Sequence, residues 1–79
     1  MSDRVELKKR VESVLFSAGN YLSIEDIGKH CEEANPETIK EALLEIRQEL
    51  DVKDGSIMLV NEGNYWKLTV RERYASIVR

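Results

Sequence analysis

Three amphipathic helical stripes, a tight turn between the second and third, and a closing pair of alternating strands predict an α+β fold. Their order spells a winged helix-turn-helix: three helices with a C-terminal β-hairpin wing. All 79 residues fit one domain over 1–79. Below roughly 80 residues a single core supplies only about 3–5 kcal/mol of net stability, so such a domain gains from a partner.

The first helix is expected from Asp3 to Ala18, with Leu7, Val11, Val14, Leu15 and Ala18 as its buried stripe. Gly19 suits the left-handed stop that follows. Asn20-Tyr21-Leu22 is too short for more than an extended bridge or edge strand. Ser23 with Asp26 three residues on resembles a capping box and opens a second helix, about Ile24 to Glu32, that buries Ile24, Ile27 and Cys31. Glu33-Ala34-Asn35 then turns the chain. Asn35 caps the third helix and Pro36 takes its first position, where no N–H partner is needed. Ile39, Ala42, Leu43, Ile46 and Leu50 form one continuous apolar stripe, so this helix is expected to end near Leu50. Its outer side reads Glu37, Glu41, Leu44, Glu45, Gln48.

Asp54-Gly55 marks a turn, and two strands follow, Ser56 to Glu62 and Tyr65 to Val70, joined by Gly63-Asn64. The two-residue loop sets the register. Glu62 faces Tyr65, and the pairs run Asn61–Trp66, Val60–Lys67, Leu59–Leu68, Met58–Thr69 and Ile57–Val70. One face then carries Ile57, Leu59, Trp66, Leu68 and Val70, which suits a core; the reverse carries Met58, Val60, Tyr65, Lys67 and Thr69. Arg71-Glu72-Arg73 breaks the pattern, and Tyr74 to Arg79 begins what reads as another helix. That start leads us to expect a longer parent protein.

Composition narrows the function. With 42% hydrophobic and 34% charged residues, the chain is a globular domain with a charged surface. No apolar run approaches the roughly 20 residues that span a bilayer, so no membrane association is expected. Cys31 is the only cysteine, which excludes an internal disulfide and suits a reducing cytoplasm. His30 and Cys31 are neighbours and point about 100° apart on a helix, so they do not share a metal. Gly55 and Gly63 stand alone, without a phosphate-cradling pattern. We expect no cofactor, no metal and no enzyme activity.

The stretch Val11-Glu12-Ser13-Val14-Leu15-Phe16-Ser17-Ala18-Gly19-Asn20-Tyr21-Leu22-Ser23-Ile24-Glu25-Asp26-Ile27 resembles the opening of the segregation and condensation protein B family. Ile57-Met58-Leu59-Val60-Asn61-Glu62-Gly63-Asn64-Tyr65-Trp66-Lys67-Leu68 is similar to that family's wing, and Arg71-Glu72-Arg73-Tyr74-Ala75-Ser76-Ile77-Val78 to the segment after it. The resemblance implies a non-catalytic accessory subunit of a condensin-type chromosome-organising complex. Such a subunit has two tandem winged-helix domains, forms a homodimer, and binds the kleisin that bridges the ATPase heads of the SMC protein. This chain would be the N-terminal, dimerising domain of a two-domain cytoplasmic, nucleoid-associated protein, with kleisin binding largely in the second.

Two kinds of contact residue stand out. For nucleic acid the donors are Lys40 and Arg47 on the third helix, Lys67 on the wing, and Arg71 and Arg73 beyond it. Yet residues 25–51 hold nine acids against Lys29, Lys40 and Arg47, and the sequence pI is about 5.2. Carboxylates beside phosphates add repulsion, so weak or no direct DNA binding is expected. A winged-helix transcriptional regulator is the alternative. For protein contact, Val5 and Phe16 share the back of the first helix, Leu44 interrupts the polar side of the third, and Met58, Val60 and Tyr65 face outward from the hairpin. These sets suit either an interface or packing against a neighbouring terminus. Large aromatic anchors favour the interface, with Phe16 and Tyr65 foremost; Trp66 belongs to the core.

Overall fold

Residues 3–72 are described by a computed structural model. The order is α1 (Asp3–Ala18), β1 (Leu22–Ser23), α2 (Ile24–His30), α3 (Pro36–Lys53), β2 (Ile57–Glu62) and β3 (Tyr65–Val70). This is the α+β winged-helix order, with an antiparallel three-stranded sheet arranged β1-β3-β2. The helical start read at Tyr74 to Arg79 lies outside the described residues.

Local chemistry fixes the helix ends. The Ser23 hydroxyl accepts the Asp26 N–H at 3.1 Å, and the Asn35 side-chain oxygen accepts that of Glu37 at 3.0 Å. Gly19 sits at φ +64° after α1, its N–H bonded to the Leu15 carbonyl. Two ends differ from the sequence expectation. α2 stops at His30, not near Glu32, because Glu32 adopts φ 57°. The Glu32 N–H returns to Lys29 O and the Glu33 N–H to Gly28 O at 2.8 Å, the paired closure of a Schellman motif. That turn carries the Glu33 carbonyl over Gly28, where a Cβ would lie 2.7 Å from its oxygen, so the position requires glycine. α3 runs to Lys53 and not to Leu50, since nothing interrupts it before Asp54 turns left-handed at φ 53°.

The hairpin has the register set by its two-residue loop, from Ile57↔Val70 to Glu62↔Tyr65. The extended bridge before α2 is a true strand: Leu22 pairs with Trp66 and Ser23 with Tyr65. Helices and sheet meet in one core. Val11, Leu15, Ile27, Ile39, Leu43 and Ile46 are sealed, and Leu59 and Trp66 enter from the sheet. Ile57, Leu68 and Val70 lie on the same sheet face but are only half-buried. Among the described residues no helix is long and apolar enough to cross a membrane.

Candidate protein-interaction site

The acidic flank of α3 faces the basic flank of α1. Arg4 reaches Glu41 at 3.0 Å and Glu45 at 2.6 Å, while Lys8 reaches Glu45 at 3.6 Å and pairs with Glu49. The hydrogen bond that Lys8 donates to Glu49 holds its ammonium above its usual pKa, burial opposing it. Two carboxylates of the outer side of α3, Glu41 and Glu45, and Glu49 beside them are therefore matched within the fold. The charge on α3 is less a bare repulsive surface than one side of an ion-pair ladder.

The sequence-picked cations divide by what they already touch. The Arg47 guanidinium stacks 4.6 Å from the Trp66 ring centroid and donates to the Asn61 side-chain oxygen. The Lys67 ammonium lies 5.5 Å from the Tyr21 ring centroid. Arg71 clamps the domain from within: Nε donates to Gly55 O at 2.7 Å, Nη2 to Leu50 O at 2.9 Å, and Asp51 lies 3.3 Å away. Arg71 also donates its backbone N–H to Ser56 O. Lys40 is exposed on α3, and Arg73 lies outside the described residues. Arg47, Lys67 and Arg71 thus act on protein groups, and no cationic strip for phosphates assembles from these residues.

The apolar candidates point outward. Phe16 is 78% exposed, and Val5, Leu44 and Tyr65 are exposed as well. Met58 and Val60 are half-buried on the outer sheet face. Tyr21 joins that face beside β3, its hydroxyl donating to Glu62 at 3.2 Å. Burial first, then the Glu62 bond and charge, push the Tyr21 phenol above its ordinary pKa. Val52, 79% exposed, belongs to the α3 surface one turn beyond Gln48 and two beyond Leu44. It was illegible in the sequence because the helix was expected to have ended before it.

A groove of about 950 Å³ opens between α1, the last turn of α3 and the hairpin. Leu15, Leu50, Ile57, Leu68 and Val70 line its floor, and Phe16 stands at its edge. No group of three or more His, Cys, Asp or Glu side chains able to hold a metal occurs among the described residues. Cys31 is buried, and burial raises its thiol pKa against a smaller opposing pull from Arg10. A thiol held protonated in this way is a core residue, not a nucleophile.

The family described as "Segregation and condensation complex subunit ScpB" matches residues 9–79. The chain belongs to the ScpB family. No curated protein sequence matches it significantly. Among solved structures, a dimer of a ScpB N-terminal domain complexed with ScpA peptide is 26% identical, with TM-score 0.85 over 99% of this chain and 90% of that one. ScpB from Mycobacterium tuberculosis superposes with TM-score 0.87 at 23% identity, covering 99% of this chain. A conserved hypothetical protein from Chlorobium tepidum gives 0.79 at 16% identity over 96% of this chain. These last two attest the shared fold, and this chain spans 48% of each. In the peptide complex an N-terminal ScpB domain itself carries the ScpA peptide, a role the sequence resemblance assigns largely to the second domain.

Proposed function

We propose that this domain is a non-catalytic module of an SMC–kleisin chromosome segregation and condensation complex, acting by pairing with a second copy and by holding a kleisin segment of the ScpA type. It would do so in the cytoplasm, on the nucleoid, as the N-terminal domain of a two-domain subunit. The carrying observation is the outward display of Phe16, Leu44 and Tyr65 from three different elements of a family member. The ScpB N-terminal domain seen as a dimer with ScpA peptide supports the reading.

Energetics favour protein over DNA as the partner. A standard interface covers about 800 Å² per partner, roughly a seventh of this domain's 5535 Å². One aromatic side chain buries about 150–250 Å² at most, so two such anchors per copy supply much of the apolar contact. A DNA reader needs unengaged cations along a groove-facing helix, whereas Arg47 here is stacked on Trp66.

Sedimentation across a concentration series tests the proposal. Wild type should move from monomer to dimer, and Phe16→Ala or Tyr65→Ala should weaken association about tenfold or more, the size expected of an interface anchor. Unchanged dimerisation in both variants removes those two assignments. Submicromolar, steeply salt-dependent binding to duplex DNA would replace the reading with that of a transcriptional regulator.

A further inference from the structure

We propose that the outer side of α3, along Leu44, Gln48 and Val52, is a docking strip for a basic amphipathic helix, a partner additional to the second copy and the kleisin segment of the function proposed above. The three residues stand four apart, so they share one line about 12 Å long on the helix surface. Leu44 is 46% exposed and Val52 79%. Glu45, Gln48, Glu49, Val52 and Lys53 bound a shallow hollow at the C-terminal end of that line. The turn that carries Val52 does not serve burial. Leu50 is the last α3 residue to pack on the core, and Asp51, Val52 and Lys53 are all exposed. That turn is nevertheless held: Arg71 donates to the Leu50 carbonyl and pairs with Asp51, and the Asp54 N–H closes on Leu50 O at 3.0 Å. A turn already fixed loses little further freedom when a partner covers its valine.

The ion pairs beside the strip set the sign of the partner. In each of them the carboxylate is the more exposed member. The Glu41, Glu45, Glu49 and Asp51 side chains are 45–60% exposed, whereas those of Arg4, Lys8 and Arg71 are 16–32% exposed. Though matched in charge, this surface therefore presents oxygen to an approaching molecule. Glu37 extends the row by a turn, and the exposed α3 cations, Lys40 and Lys53, stand at the two ends of the strip. A helix with leucine-like side chains along its centre and Lys or Arg beside them would cover Leu44 and Val52 and meet the carboxylates. Other occupants fit less well. A two-fold contact with a second copy sets the patch against itself, carboxylates facing carboxylates. Duplex phosphates and anionic lipid head groups meet the same repulsion.

The probe is a fluorescein-labelled amphipathic peptide of about 18 residues built from leucine and lysine, long enough to be helical; its control replaces each lysine by glutamate. Both are titrated against the full chain by anisotropy, and amide shifts of the complex are mapped by NMR. The lysine peptide should bind, more weakly as salt rises, and move the amides of Leu44, Gln48 and Val52. The glutamate peptide should bind about tenfold or more weakly. L44S/V52S should lose about tenfold or more in affinity for the lysine peptide, while Phe16→Ala and Tyr65→Ala stay within about twofold. A thermal melt checks that L44S/V52S is folded, and Gln48→Lys, which places a like charge in the strip, should weaken the lysine peptide and favour the glutamate one. The proposal is overturned if the lysine peptide does not bind, if L44S/V52S and Gln48→Lys bind it as wild type, if both peptides bind equally, or if the shifts centre on Ile57, Tyr65 or Val70. Loss of self-association by L44S/V52S in sedimentation would assign the strip to a second copy and overturn it as well. The other failures leave the proposed function standing.

Discussion

Val11, Leu15, Ile27, Ile39, Leu43 and Ile46 of the three helices are sealed from solvent, whereas of the hairpin's core-facing apolar residues only Leu59 and Trp66 are buried and Ile57, Leu68 and Val70 stay half-open. Both regions follow an apolar pattern set by their own period, 3.6 in the helices and 2 in the strands. They differ in what each packs against. The helical stripes converge on one another, so each closes the next. Among the described residues the sheet has helices on one side only, and α1 covers just part of that side. The helical half is a finished fold and the hairpin half an unfinished one. In a complex-forming family the open half is the part to bring to a partner.

The largest effect should come from the sealed half. Leu43→Ala removes a side chain with no exposure and should cost about 2–5 kcal/mol in urea unfolding, whereas Ile57→Ala should cost less than about 1.5 kcal/mol. Equal losses would break the contrast between the two halves. Next comes the link between them. Arg71→Gln withdraws charged donors from Leu50 O and Gly55 O and should cost about 1.5–3 kcal/mol, with faster amide exchange at the end of α3 and the start of β2. Exchange that quickens only within the hairpin would show that the clamp serves the sheet alone.

Smaller effects sharpen the helical side. Arg4→Met removes one rung of the α1–α3 ladder and should cost about 0.2–1 kcal/mol at low salt, shrinking as salt is added, because both partners are partly solvated. The hairpin should show no such salt response at Met58 or Val60. The last effect is alkaline. Lys8, Tyr21 and Cys31 each have a pKa raised above the ordinary 10.5, 10.0 and 9.0. The folded state therefore holds protons that the unfolded chain has already released. Stability from these groups is full below about pH 9 and declines as pH rises through their folded values. Thermal melts from pH 7 to 11 check the sign; a midpoint that rises with pH would contradict it.

Much of this architecture was legible in the residues. Gly63-Asn64 between alternating runs defines a hairpin register one way only, and Asn35-Pro36 defines a helix start. The helix ends were less legible. α2 closes through a left-handed glutamate, Glu32, where the sequence signal for such a stop is glycine or asparagine. α3 outlasts its last core residue by a turn, which hid Val52. The charges misled for a different reason. Glu41 and Glu45 read as the outward side of the third helix because one helix's pattern does not say which neighbour lies along its flank; Arg4 and Lys8 supply that answer only once α1 is packed. The groove depends likewise on how far α1 reaches over the sheet, a distance no local pattern encodes.

Arg71 gives the domain a mechanical character. Its main chain is tied to Ser56 and its guanidinium to the carbonyls of Leu50 and Gly55, so a tug on the polypeptide leaving β3 is delivered first to the last turn of the longest helix. Load of that kind bypasses the ladder between β2 and β3, which would otherwise peel one bond at a time. In the complex proposed for this domain, a rivet at the exit of the chain would let tension pass through without unzipping the wing.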